Sequence, residues 1–325
     1  MKNLFLLATS IFFCVMTTGC ISSLISNDEE ETFTVEAGIL QNISRVTDDG
    51  IAKTSATVSP DGKMLLYTEF TGSAEQTDIL GFTTQESQLV LLRNINSPAK
   101  TKLPLTWSYT PAWYPDSKTI VCAGFEDKTT KLLRSSIEGG GKTYITRSVV
   151  GKADLHPRVK ENKIVCDTVI SGKSQIISMN LDGTEVTILC EGETPNWHPT
   201  EDKLVFIRNG GIFELNIETG QTTEIYRDEK FPCALPSYSA NGKQILFTQM
   251  TAINTAASNA LKRIAFGSSV NQIYLMNADG SGRTQLTSGT QSVFGATWGE
   301  DNTVFFIARI NNKTDIWKAR ISVAE

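Results

Sequence analysis

Six times along this chain an apolar or aromatic residue is followed by a short polar turn and then by a compact apolar run. The leading residues are Val58, Trp113, Val159, Trp197, Tyr238 and Trp298. The turns after them read SPDGK, YPDSK, KENK, HPTEDK, SANGK and GEDNT, and the runs read MLLY, TIVCAG, KIVCDT, KLVFI, QILFT and VFFIA. Proline presets the first corner of such a turn, and glycine or asparagine tolerates the left-handed corner near its end. Runs of about five residues, rich in β-branched and aromatic side chains, are buried strands rather than helices.

A hairpin follows each run. IISMNLDGTEVTIL, IFELNIETGQTTEI and IYLMNADGSGRTQLT each show a strand, a glycine-bearing turn and a returning strand, and LLRSSIEGGGKTYIT is a fourth example. The unit is therefore four short strands. A four-stranded antiparallel sheet cannot bury both faces alone, whereas sheets arranged radially each bury a face of the next and leave only short edges. Repeats of this length predict an all-β, six-bladed β-propeller of four-stranded antiparallel blades. The last unit, from Trp298, lacks a fourth strand, and ISRVTDDG near the start matches the outer strand of a complete unit. Ile43–Thr47 is thus expected to complete the final blade and close the ring.

The turn SPDGK at Ser59–Lys63, PAWYPDSK at Pro111–Lys118 and IYLMNADGSGRTQLT at Ile273–Thr287 resemble the WD40-like repeats of the TolB-type β-propeller family. The resemblance extends over nearly all of the chain beyond its first forty residues. It implies a fold, because the matched residues build turns and strands, and it implies no particular activity. About twenty residues separate Cys20 from the first repeat, so no counterpart of the N-terminal α/β domain of TolB is expected.

The first residues form a processing signal. Lys2 precedes the apolar run Leu4–Met16, which is shorter than the roughly 20 residues a membrane-spanning helix needs. The run ends in TTGC, which resembles the lipobox of bacterial lipoproteins, with Thr17 where leucine is usual. The reading is a signal peptide over 1–19, a lipidated Cys20 with a tether over 20–38, and the propeller over 39–325. A plain secretory signal cut nearby is the competing reading. Ile21, rather than aspartate, favours the outer membrane, facing either the periplasm or the outside. ASNALKRIAF, later in the chain, fits either an amphipathic helix or a loop.

Composition narrows function mainly by exclusion. A net charge of −5, from 30 basic and 35 acidic residues, offers no basic surface for nucleic acid. Two histidines, His156 and His198, restrict catalytic and metal chemistry, and no cofactor or metal site is expected. His198 lies inside a corner turn, at the place of Ser59 and Tyr114, and reads as structural. Cys122 and Cys166 occupy equivalent strand positions as small core residues, whereas Cys190 and Cys233 both precede a leading residue and are able to approach one another.

Antiparallel order places the turns between first and second strands, and between third and fourth, on one side of the ring. The longest insertions, Thr71–Gln88 and Thr251–Gln272, belong to the other side. Loops there leading into the repeats carry the candidate ligand contacts Asp48, Asp49, Trp107, Tyr109, Asp154, His156, Glu193, Phe231 and Phe294. Aromatic faces with carboxylates suit peptide or glycan recognition. Paired Asp48 and Asp49 also fit either a turn or a cation site. No nucleophile, base and orienting group share a motif. The expectation is a non-enzymatic envelope module that binds a protein, peptide or glycan and meets the membrane through its lipid. A hydrolase or lyase using channel carboxylates on polysaccharide is the alternative, and a purely structural subunit is a third reading.

Overall fold

The computed structural model describes residues 33–35, 39–81, 83–97, 99–146, 151–253, 269–311 and 313–322. They form a ring of six four-stranded antiparallel sheets, and no helix occurs among them. Blade one comprises Lys53–Val58, Leu65–Thr77, Thr83–Leu92 and Lys100–Thr106. Blade two is Ser108–Trp113, Thr119–Glu126, Thr129–Ser136 and Thr143–Tyr144. Blade three is Leu155–Lys160, Lys163–Ile170, Lys173–Asn180 and Thr187–Glu191. Blade four is Glu193–Trp197, Lys203–Arg208, Gly211–Asn216 and Thr222–Tyr226. Blade five is Cys233–Tyr238, Gln244–Ile253, Ser269–Asn277 and Thr284–Gln285.

Blade six takes Ser292–Trp298, Thr303–Ile310 and Lys313–Ile321 from the end of the chain and Leu40–Arg45 from its beginning. The closing strand starts three residues before the expected Ile43. Its pairing runs past Arg45, because the Val46 and Thr47 amides both donate to the Ile316 carbonyl, at 2.7 and 3.2 Å. Thr47 then fastens the seam, its hydroxyl donating to Asp315 Oδ1 (2.9 Å) and accepting from the Ile316 amide (3.0 Å). Phe305, Ile307 and Ile316 of blade six pack with Leu65, Tyr67 and Val90 of blade one, so an apolar layer runs through the closing seam as through the others.

The six leading residues lie at or next to the ends of the inner strands, and the three tryptophans reach backwards across a seam. Trp113 Nε1 donates to the Thr57 carbonyl (3.3 Å), Trp197 Nε1 to that of Arg158 (3.1 Å), and Trp298 Nε1 to that of Ser237 (3.2 Å). Each acceptor immediately precedes the leading residue of the blade before. The corner turns also interlock. A Cβ on Gly62 would lie 2.1 Å from the Glu300 carboxyl carbon, and one on Gly242 2.2 Å from His198 Nε2. Both glycines also have φ near +70°, so they satisfy turn geometry and close packing together.

Every inner strand carries one residue more than its partner. The register shifts between Thr54 and Thr57, Tyr109 and Ala112, Leu155 and Arg158, Glu193 and Asn196, Ala234 and Ser237, and Phe294 and Thr297. Three residues before each leading residue the backbone turns left-handed: Ser55, Thr110, His156, Thr194, Leu235 and Gly295 have φ between 44° and 64°. A bulge bends its strand and re-aims the side chains that precede it. Only one of the six is glycine, so the repeat of bulges leaves no glycine signature in the sequence.

Candidate functional site

The two faces of the ring differ in relief. On one side the first–second and third–fourth turns are tight, closed by side chains such as Ser59, whose hydroxyl donates to Asp61 and accepts from the Met64 amide (2.9 Å). His198 does the same work in blade four: its Nδ1 accepts the Glu201 amide (2.9 Å), and its ring meets Tyr238 edge-on at 4.8 Å. That agrees with the structural role its position implies.

On the opposite face two hairpins stand out. The Thr71–Gln88 insertion is not an irregular loop: after a shift between Phe70 and Glu75 the strands pair again through Glu75↔Gln85, Gln76↔Thr84 and Thr77↔Thr83. Glu75, Gln76 and Thr77 of its outgoing strand are exposed, whereas Thr84 and Gln85 of the returning strand are buried. Its tip folds against blade two, where the Ile79 amide donates to the Lys128 carbonyl (2.9 Å). Ile79 itself is half exposed, one of three large apolar side chains so placed among the described residues. In the other insertion Ala252↔Val270 and Ile253↔Ser269 extend the blade-five hairpin. The remainder of Thr251–Gln272, including ASNALKRIAF, lies outside the described residues, as does Cys20.

The nine candidate contacts do not share one environment. Asp48 is exposed. Asp49 is tied into the closing seam, accepting from Lys53 Nζ, from Lys100 Nζ (2.7 Å) and from the Ile51 amide (2.9 Å). Burial opposes its ionisation, but the bonds from Lys100 and Lys53 outweigh that and hold its carboxyl at about 2. Lys53 is itself buried, 3.5 Å from Asp315, and Lys100 also reaches the buried Glu69 (2.8 Å). Three carboxylates thus share two ammoniums where the chain closes its ring.

Tyr109 is enclosed beside Phe70, its hydroxyl donating to the Gln85 carbonyl (2.7 Å) and accepting from Thr84 (2.8 Å). It ties the base of the first ribbon to blade two. Trp107 and Phe231 keep part of their surface, Trp107 against Phe125 and Phe231 beneath the Lys230 ammonium. Phe294 is buried in the seam between blades six and one.

Asp154 is fully buried. Thr146 and Thr168 each donate a hydroxyl to it at 2.5 Å, and Lys131 Nζ lies 3.5 Å away. Burial pushes this carboxyl up in spite of the lysine. Glu193 and His156 are buried as well. His156 Nδ1 lies 2.8 Å from Asp167 Oδ1, which also accepts the Thr194 amide of the next blade (3.1 Å).

Sequence reasoning missed Lys53, Glu69 and Lys100 in the seam, Asp167 beside His156, and Ile79 on the ribbon. The apolar pair Ile79–Leu80 between Asp78 and Gly81 was the available signal for the last. Among the described residues no three His, Cys, Asp or Glu converge as a metal set. Cys122 and Cys166 lie in blade cores, and Cys190 and Cys233 are both free thiols, so the approach considered for that pair is not a disulfide here.

No family profile matches this sequence, and no curated protein does. Similarity appears at the level of structure. A putative TolB from Agrobacterium tumefaciens superposes with a TM-score of 0.60 at 15% identity, over 86% of this chain and 97% of that one. A gluconolactonase from Xanthomonas campestris gives 0.59 at 11% identity, over 94% and 99%. A chain of the nidogen/laminin complex gives 0.54 at 10%, over 74% and 81%. What they share with this protein is the propeller fold. The range of proteins on that fold leaves function to be argued from the surface.

Proposed function

We propose that this protein is a non-enzymatic recognition module of the bacterial envelope, anchored by lipid at Cys20, that binds a protein, peptide or glycan through its ribbon-bearing face. The observation that carries this reading is the asymmetry of the ring: one face is closed by short turns, and the other raises two extended hairpins beside half-buried Trp107 and Phe231. Loops on a rigid scaffold are where recognition residues concentrate. The apolar leader, TTGC and Ile21 support an outer-membrane lipoprotein that faces either the periplasm or the outside. The burial of Asp154 favours binding over a hydrolase or lyase, since its oxygens are taken up by Thr146, Thr168 and Lys131 rather than offered to a substrate.

Photo-crosslinking in intact cells tests this. A photoreactive amino acid at position 107 or 231 should capture a discrete envelope component, and one at position 182 on the tight-turn face should not. Replacing residues 72–86 by a two-residue turn should abolish the product. Capture from position 182 alone, or a product indifferent to the ribbon, would rule out this face.

A further inference from the structure

Before the closing strand begins, the chain makes one more attachment. Phe33 stands edge-on to Phe306 and Trp317, with centroids 5.8 and 5.3 Å away and planes at 87° and 89°. Thr34 and Val35 pair antiparallel with Ser288 and Thr287, and the Thr34 and Ser288 hydroxyls are hydrogen-bonded at 2.7 Å. Their partners belong to the connection from blade five to blade six, which lies on the ribbon-bearing face. Trp317, against which Phe33 packs, pairs with Phe306 at mid-height of blade six, and the closing strand runs on past it toward that same face. Leu40, opposite Ile321, marks the strand's other end, near the tight turns. The chain therefore comes into the fold at the ribbon-bearing face, crosses to the tight-turn face by residue 40, and returns as the closing strand.

From this path, and resting on the lipidation of Cys20 proposed above, we infer that the ribbon-bearing face is held toward the bilayer that carries the lipid, with the Ile79 tip at the membrane surface. Twelve residues, 21–32, separate Cys20 from Phe33. Whatever their conformation, they and the flanking bonds span at most about 45 Å. With the ribbon face toward the membrane, the whole of that reach is available as clearance. Turning the tight-turn face to the membrane spends roughly 20 Å of it running back along a six-residue blade height. Ile79 adds a second, independent feature: a half-exposed apolar side chain at the tip of the ribbon, on the same face as the incoming chain. An aliphatic side chain gains by leaving water at a bilayer interface.

The test uses the full lipidated chain in liposomes, in a Cys190→Ser background in which the remaining described thiols are buried. A fluorophore at Ile79→Cys is compared with one at Asp182→Cys on the tight-turn face, using headgroup-labelled lipid as the quencher. Quenching at position 79 should exceed that at 182 several-fold, and lengthening 21–32 with twenty Gly/Ser residues should shrink the difference. Equal quenching, or stronger quenching at 182, in membrane-bound protein overturns the orientation while leaving the anchor intact. Recovery of the wild-type chain in the aqueous phase, like a Cys20→Ala control, removes the anchor and the orientation with it.

Discussion

The indole nitrogen of Trp197 donates to the carbonyl of Arg158, 3.1 Å away across the seam between the third and fourth blades. The same bond recurs from Trp113 and from Trp298, in even-numbered blades only. A second alternation matches it. At the bulge the second strands of blades one, three and five present Thr68, Asp167 and Thr248, and those of the even blades Ala123, Ile207 and Ile307. Asp167 and Thr248 accept the bulge amides of Thr194 and Gly295 in the blade that follows, both at 3.1 Å. The indole bonds thus join blades one to two, three to four and five to six, and the bulge bonds reinforce only the last two of these pairs. The other seams carry ties of their own, such as the His156 bulge amide donating to Thr110 Oγ1 (3.3 Å) between blades two and three. Trp197→Phe keeps the ring packing but leaves the Arg158 carbonyl without this partner, and should lower stability by about 1 to 2 kcal/mol. An unchanged urea midpoint would mean that the pairing contributes no stability.

Ring closure should be acid-sensitive. The Asp49 carboxyl titrates at about 2 in the folded protein against an ordinary 3.8, so its contribution is full above about pH 4. It is lost as pH falls toward 2, when the carboxyl protonates and Lys53 and Lys100 lose that partner. Asp49→Asn should flatten the pH dependence of the melting temperature across that window. A slope identical to wild type would place the acid-labile group elsewhere.

Thr47→Val removes the hydroxyl that donates to Asp315 and accepts from the Ile316 amide, and both of those groups are buried. The expected cost is about 2 kcal/mol. Limited proteolysis should then cut first near the closing strand, and first cleavage in another blade would contradict a seam that opens at this latch.

The buried pair of Lys131 and Asp154 should behave as a structural element. Asp154→Asn leaves an enclosed ammonium without its counter-charge, and breaking such a pair typically costs about 3 kcal/mol. Thermal unfolding of the variant, run beside a polysaccharide turnover assay, separates this from catalysis. A variant as stable as wild type that had lost an activity would revive the enzymatic reading.

The left-handed bulge position offers a paired test. At Gly295, φ is +64° and an added Cβ would meet only Ile307 Cδ1 at an ordinary 3.7 Å. Gly295→Ala should therefore cost only conformational strain, about 1 kcal/mol. Ser55→Gly relieves the same strain in blade one while removing only a small side chain, and should be close to neutral after its entropic cost. Denaturation midpoints that moved in the opposite order would show that the bulge does not hold this backbone.

Thiol reactivity should follow burial. The Cys122 and Cys233 thiols are pushed up to about 12, and Cys166 well above its ordinary value, chiefly by desolvation. Cys190 is only partly buried. Among these four, alkylation under native conditions should mark Cys190 first, with the others reacting only on unfolding. Peptide mapping by mass spectrometry reads the order directly.

The parts of this fold written in local chemistry could be read without coordinates. Turn residues such as Pro60 and Gly62, strands five residues long, and a last unit short of one strand establish six blades and a ring closed by the chain's beginning. Backbone hydrogen bonding and side-chain alternation act over a few residues, so they leave a local trace. Six left-handed bulges left none, because packing between blades holds Ser55, Thr110, His156, Thr194 and Leu235 in a conformation their own preferences oppose. Tertiary structure likewise decided which candidates are walled in. Tyr109, His156, Glu193 and Phe294, expected in loops, belong to the inner strands themselves and Asp154 lies just before one, and it is the neighbouring blade that closes them off from water while Asp48 stays exposed. The path of Phe33 across blade six belongs to the same class, since nothing local to residues 33–35 specifies a partner more than 250 positions away.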